Sequence, residues 1–122
     1  MTLRKIYDLE ERTMAFSKAI IDLCKSIYRT NKNIINTPII EQLVRSSTSI
    51  GANYCEANGA SSKKDFKNKI FICKKESKET LYWIRLLEES IVDKNSKTQC
   101  GLLWKEAHEL VLIFSKIAST TQ

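Results

Sequence analysis

The sequence predicts an all-α protein: one domain folded as an antiparallel up-down-up-down four-helix bundle. Three observations carry this. The 122 residues hold one Pro and three Gly, too few turn residues for an all-β fold. Apolar residues recur at steps of three and four in successive blocks rich in strong helix formers. Short polar punctuation with capping residues separates the blocks, and such short connections return each helix beside the one before it. Helices are expected over about 8–30, 38–58, 62–92 and 97–118, within a single domain spanning 1–122.

The first helix is expected to start at Asp8, which has capping-box spacing with Glu11. Phe16, Ile20, Leu23 and Ile27 make its core face, with Ala19 and Cys24 beside them, and Thr30-Asn31-Lys32-Asn33 ends it. Ile34 and Ile35 are expected to pack on the end of the bundle. Thr37-Pro38 then opens the second helix: Thr caps, and Pro suits the first helical position, where its missing N–H has no partner to lose. Ile40, Leu43, Val44, Ser47, Gly51 and Tyr54 form the core face, with Ile50 at its edge. The opposite side carries Gln42, Arg45, Ser49, Asn53 and Glu56. That stripe is either a solvated surface or a packed polar seam, because Ser46, Ser49 and Ala52 would let another backbone approach closely.

Asn58-Gly59 closes the second helix, with Gly in the place where a left-handed turn is usual. Ser62 and Asp65 supply an N-cap oxygen and a first-turn acid for the third. Phe66, Ile70, Cys73, Ser77, Ile84 and Ile91 define its core face. Ile72, Trp83 and Leu86 fall outside that face, with Glu76 and Glu79 beside them. A bundle helix needs one apolar stripe, so the surplus is either the flank of a wide core or an oligomer interface. Asp93-Lys94-Asn95 breaks the pattern, and Ser96 with Gln99 has capping-box spacing. Cys100, Leu103, Ala107, Leu110, Phe114 and Ile117 give the last helix its core face, and Ser119 to Gln122 reads as a fraying tail.

Lys and Arg outnumber Asp and Glu by 20 to 14, a net charge of +6. A moderately basic domain suits nucleic acid, an acidic protein or an anionic surface. The charge concentrates on the third helix. Lys63, Lys67, Lys74 and Lys78 fall within about 60° of one another at 100° per residue, Arg85 joins them, Lys64 and Lys75 border them, and Lys69 points away. Phe71 and Tyr82 lie on the same side. One reading is contact with phosphates of RNA or DNA without strong sequence preference, with the aromatics available to unpaired bases. The other is a solubilising face, with Glu76 and Glu79 relieving Lys75 and its neighbours, or a surface that meets an acidic protein in a scaffold.

The sequence argues against most catalytic classes. His108 is the single histidine, which excludes multi-His metal sites and weakens acid–base schemes built on His. Gly51 and Gly59 are isolated, so no phosphate loop is present. Cys24, Cys55, Cys73 and Cys100 lack C-x-x-C spacing and read as buried thiols of a reducing compartment. No apolar run is long enough for a signal peptide core or a membrane span, so a cytoplasmic location without membrane partners or cofactors is expected.

The stretch from Gln42 to Asn53 (QLVRSSTSIGAN), followed by Glu56-Ala57, resembles the second-helix signature of the 23S rRNA intervening-sequence proteins, a family that includes the accessory variability determinant of diversity-generating retroelements. Asp65-Phe66, Lys75-Glu76, Glu79-Thr80 and Tyr82 to Glu88 (YWIRLLE) resemble the third-helix signature. The resemblance implies an antiparallel four-helix bundle assembled as a barrel-shaped homopentamer, with no enzymatic activity. It further implies nucleic-acid binding and association with a reverse transcriptase for members of the accessory type. It casts Arg45, Ser49, Asn53, Glu56, Glu76, Glu79 and Trp83 as architectural, an Arg–Glu polar seam between the second and third helices, within or between subunits.

Overall fold

The computed structural model describes residues 9–121. It is all-α: α1 (Leu9–Asn31), α2 (Asn36–Asn58), α3 (Lys63–Glu89) and α4 (Lys94–Thr120). Each helix packs on its neighbours in the chain, and α1 closes the bundle against α4 by a sparser contact. A bidentate pair crosses that closing contact, with Arg12 Nε donating to Glu106 Oε2 at 2.7 Å and Nη2 to Oε1 at 2.9 Å. The core draws on all four helices: Phe16, Ile20 and Ile27 from α1, Leu43 and Ile50 from α2, Ile70, Ile84 and Leu87 from α3, Leu110 and Phe114 from α4. Ile50, set at the edge by its helical angle, is wholly buried, because α3 covers that side of α2 as well.

The helix ends differ from the sequence expectation in several places. The cap assigned to Asp8 lies outside the described residues. Ahead of α2 the organising group is Asn33, not Thr37: its Oδ1 accepts from the N–H groups of Ile35 and Asn36 at 2.9 and 2.8 Å. This tight turn puts Asn36 inward, where its amide donates to the Asn31 carbonyl at 3.0 Å, and leaves Ile34 and Ile35 facing solvent, 86% and 64% exposed. They do not pack on the bundle end. Gly59 closes α2 at φ −99° rather than in a left-handed turn, its N–H bonding the Glu56 carbonyl at 3.1 Å. Ser62 caps α3 as expected, accepting from Asp65 N–H at 3.0 Å. Helix α4 begins earlier than Ser96, because Asp93 is the cap and accepts from Ser96 N–H at 2.8 Å. That bond holds the Asp93 carboxyl below its ordinary range. Helix α3 stops at Glu89, so Ile91 reaches the core from the connecting segment, and α4 runs on to Thr120 instead of fraying from Ser119.

Cys24, Cys73 and Cys100 are buried and unpaired, and burial pushes their thiols up to about 12, 12 and 11. Cys55 departs from the expected pattern. It is exposed, one step round the helix from buried Tyr54, with its Sγ 3.8 Å from Glu10 Oε1.

Two glycines inside helices play opposite parts. A Cβ on Gly51 would stand 3.1 Å from Thr13 Oγ1 and 3.3 Å from Thr13 Cβ. Thr13 is buried and its hydroxyl is engaged with the Leu9 and Glu10 carbonyls, so it has little room to yield. Gly51 thus permits the close approach of α1 and α2. A Cβ on Gly101 meets nothing within 4 Å. Gly101→Ala is expected to stabilise the protein by about 0.5–1 kcal/mol through helix propensity. Gly51→Ala, the same chemical change, is expected to destabilise it. Urea denaturation at one protein concentration checks both signs.

Candidate nucleic-acid interface on the third helix

Helix α3 is one uninterrupted rod, and its inward side is fastened to α2 along most of its length. The hydroxyls of Ser46 and Thr80, both fully buried, hydrogen-bond at 2.9 Å. Cys73 Sγ approaches the Ile50 carbonyl at 3.5 Å, and Lys69 pairs with Glu56 at 2.7 Å. Arg45 is the hub: Nε donates to Gln42 at 3.0 Å, Nη1 to Glu76 at 3.3 Å, and Nη2 to Glu79. Glu76 is buried, Lys75 Nζ lies 3.9 Å from its other oxygen, and Glu79 Oε2 also accepts from Trp83 Nε1 at 2.8 Å. From Ser46–Thr80 through Ile50–Cys73 to Glu56–Lys69, partners further along α2 lie earlier along α3.

The structure therefore brings Arg45, Glu76 and Glu79 together. The other residues of the polar stripe are placed differently. Glu56 binds Lys69, Ser49 donates to the Arg45 carbonyl of its own helix at 2.8 Å, and Asn53 donates to the Ser49 carbonyl at 2.8 Å. Ile72, Trp83 and Leu86 are half-buried, and Trp83 rests partly on the core. Phe66, expected in the core, is half-buried against it.

The basic residues occupy the outward side. Lys63, Lys64, Lys75, Lys78 and Arg85 are exposed, and Lys67 and Lys74 are half-buried. Among the described residues, Lys63, Lys64, Lys67, Lys74, Lys78 and Arg85 form no ion pair. Two aromatic rings stand among them: Phe71, 48% exposed, and Tyr82, 58% exposed. Lys67 Nζ sits 6.0 Å from the Phe71 ring centre, at the outer limit of a cation–π contact.

Among the described residues no cluster of three or more His, Cys, Asp or Glu side chains could hold a metal ion, and no helix is long and apolar enough to cross a membrane. His108 is exposed and lies in parallel stack on Trp104, ring centres 5.3 Å apart. A groove of about 480 Å³ between α1 and α2 is walled by Ile21, Cys24, Tyr28, Ile40 and Val44, with Lys25 and Arg29 as its charged groups. It brings together neither an acid–base pair nor a base-activated nucleophile. The Arg12–Glu106 pair escaped the sequence reading, because 94 residues separate the partners and no local spacing marks them.

A small bundle of four helices with a part-exposed Arg–Glu seam around the buried Glu76 and an open cationic face is the class of protein these observations define. The sequence matches the model of the 23S rRNA-intervening sequence protein family over residues 8–110, and the chain belongs to that family. Among solved structures it is similar to a protein of unknown function from the S23 ribosomal protein family of Bacteroides thetaiotaomicron. The two are 31% identical, with a TM-score of 0.79, and the match covers 91% of this chain and 98% of the other. No curated protein matches the sequence.

Removing the hub of the seam should be costly. Arg45→Met strands the buried Glu76 carboxylate and is expected to destabilise the protein by about 1–3 kcal/mol. Adding Glu76→Gln to that variant should recover part of the loss, since the stranded charge is gone. Urea midpoints of the two variants check the coupling.

Proposed function

We propose that this chain is a non-enzymatic, oligomeric accessory protein of the cytoplasm that binds nucleic acid through the outward face of α3. The observation that carries the reading is the row Lys63, Lys67, Lys74, Lys78 and Arg85, cations without acidic partners among the described residues, on a helix fastened to its neighbour. Lysines about one turn apart neutralise successive phosphates and release counterions, which gives affinity without a sequence code. Lys is a point charge, unsuited to bidentate base readout, so little base preference is expected.

The family resemblance implies a barrel-shaped homopentamer, and a ring would add the fields of its repeated basic faces. The half-buried Ile72, Trp83 and Leu86 are the proposed subunit contact, because they exceed what one core stripe needs. A reverse transcriptase or another protein is then a partner that the assembled ring presents to nucleic acid. Should the lysines instead meet an acidic protein, the chain is a scaffold with no direct nucleic-acid role.

Two measurements test this. Lys67→Glu, Lys74→Glu and Lys78→Glu combined should abolish binding to generic RNA and DNA while circular dichroism stays helical; unchanged binding rejects the interface. Light scattering should give a mass several times the 14.0 kDa of the chain, and Trp83→Glu or Leu86→Glu should lower it by burying an unpaired charge. A monomer at micromolar concentration rejects the assembly.

A further inference from the structure

The outward face of α3 carries a short repeat. Lys67, Phe71 and Lys74 are spaced by four and three residues, and Lys78, Tyr82 and Arg85 repeat that spacing. The offset between the two sets is eleven residues, about three helical turns and about 16 Å of rise, so the second set points within about 20° of the first. Each set places one ring between two cations. Both rings are about half exposed, and the cations beside them form no ion pair among the described residues.

Phosphate contact alone does not account for the rings. A face that serves only to hold water or a phosphate backbone has no use for two half-exposed aromatics, and each leaves apolar area in water. A duplex offers them nothing, since its base faces are already stacked inside. An unpaired strand offers base faces and phosphates together, and a ring flanked by cations answers both. Sequence tolerance follows, because every base has a π-face.

The Tyr82 ring is also held in place. Trp83 meets it edge to face, ring centres 5.0 Å apart at 76°. Trp83 in turn donates to Glu79, and Glu79 accepts from Arg45 on α2. The polar seam thereby reaches the outer surface, and a platform set before binding loses less freedom when a base lands on it.

We infer that α3 is a single-strand-selective site with two equivalent subsites, Lys67–Phe71–Lys74 and Lys78–Tyr82–Arg85, each stacking one unpaired base on its ring and holding the flanking phosphates with its cations. The inference rests on the phosphate-contact reading of the same face and narrows its ligand to unpaired strands. Neither ring stacking nor a lysine–phosphate contact reads the 2′-hydroxyl, so RNA and DNA strands bind alike.

The experiment is fluorescence anisotropy of the full chain with labelled oligothymidylate and oligouridylate of about 12 nucleotides, within the size range of single-strand sites, and with a duplex of the same length. The wild type is expected to bind both strands within a few-fold of each other, and the duplex more weakly. Phe71→Ala and Tyr82→Ala should each weaken single-strand binding on the order of 10-fold and leave duplex binding unchanged. Phe71→Trp should retain affinity. Lys67→Gln with Lys78→Gln should weaken binding to strand and duplex alike. If the alanine variants bind the strand as the wild type does while the lysine variant fails, the stacking subsites are overturned and phosphate contact stands. If the wild type binds neither strand nor duplex, the phosphate reading falls as well. Because both rings are half exposed, the alanine variants should keep wild-type helicity, which circular dichroism verifies.

Discussion

Arg45 is the interaction on which the arrangement of this bundle depends. A guanidinium offers five donors in a planar fork, and here it spends them on Gln42 of its own helix and on Glu76 and Glu79 of the next. Glu76 is buried, so without Arg45 the protein would hold a carboxylate with Lys75 as a distant counter-ion at 3.9 Å. Desolvating a charge is tolerated only when geometry and hydrogen bonds offset it. Such a pair adds little net stability over apolar packing, and another register of α2 on α3 would separate Glu76 from Arg45. Ser46 and Thr80 add a buried contact between α2 and α3, their hydroxyls 2.9 Å apart, and each also reaches a carbonyl of its own helix.

Fixing the rotation of α3 fixes what it shows to solvent. With Glu76, Thr80 and Leu87 turned inward, the side that carries Lys78, Tyr82 and Arg85 must face out. The basic row is thus displayed by the seam. Lys69, the one lysine of the cluster that points the other way, is drawn into the α2–α3 contact by Glu56 and leaves the row. The link from seam to surface is direct at Trp83, which joins Glu79 to the ring of Tyr82.

The four helices were legible because 3.6-residue periodicity survives in each block, and the outward placement of the lysines follows from the same angles. The helix ends were less legible. Thr37-Pro38 and Ser96 have the composition of caps, yet Asn33 and Asp93 do the work a few residues earlier, since several Asn, Asp, Ser and Thr residues compete in each connection and the backbone path selects among them. Ile34 and Ile35 looked like core residues because apolar character does not record which way a turn points. The resemblance casts Arg45 and Glu76 in one polar seam, but no local spacing records the burial of Glu76, because its partner Arg45 lies 31 positions away. The Arg12–Glu106 pair is invisible for the same reason: side-chain partners across a bundle carry no local signature.

The most direct test of the account is the salt dependence of wild-type binding to a generic single strand. Five cations along one helix, each neutralising a phosphate at about 0.7 per contact, predict a slope of about −3 to −4 in log affinity against log salt. A slope near that value, or steeper where subunits contribute together, supports phosphate contact by the α3 row. A slope near zero, or no binding at about 50 mM salt, contradicts it and returns the basic face of α3 to the role of a solvated surface.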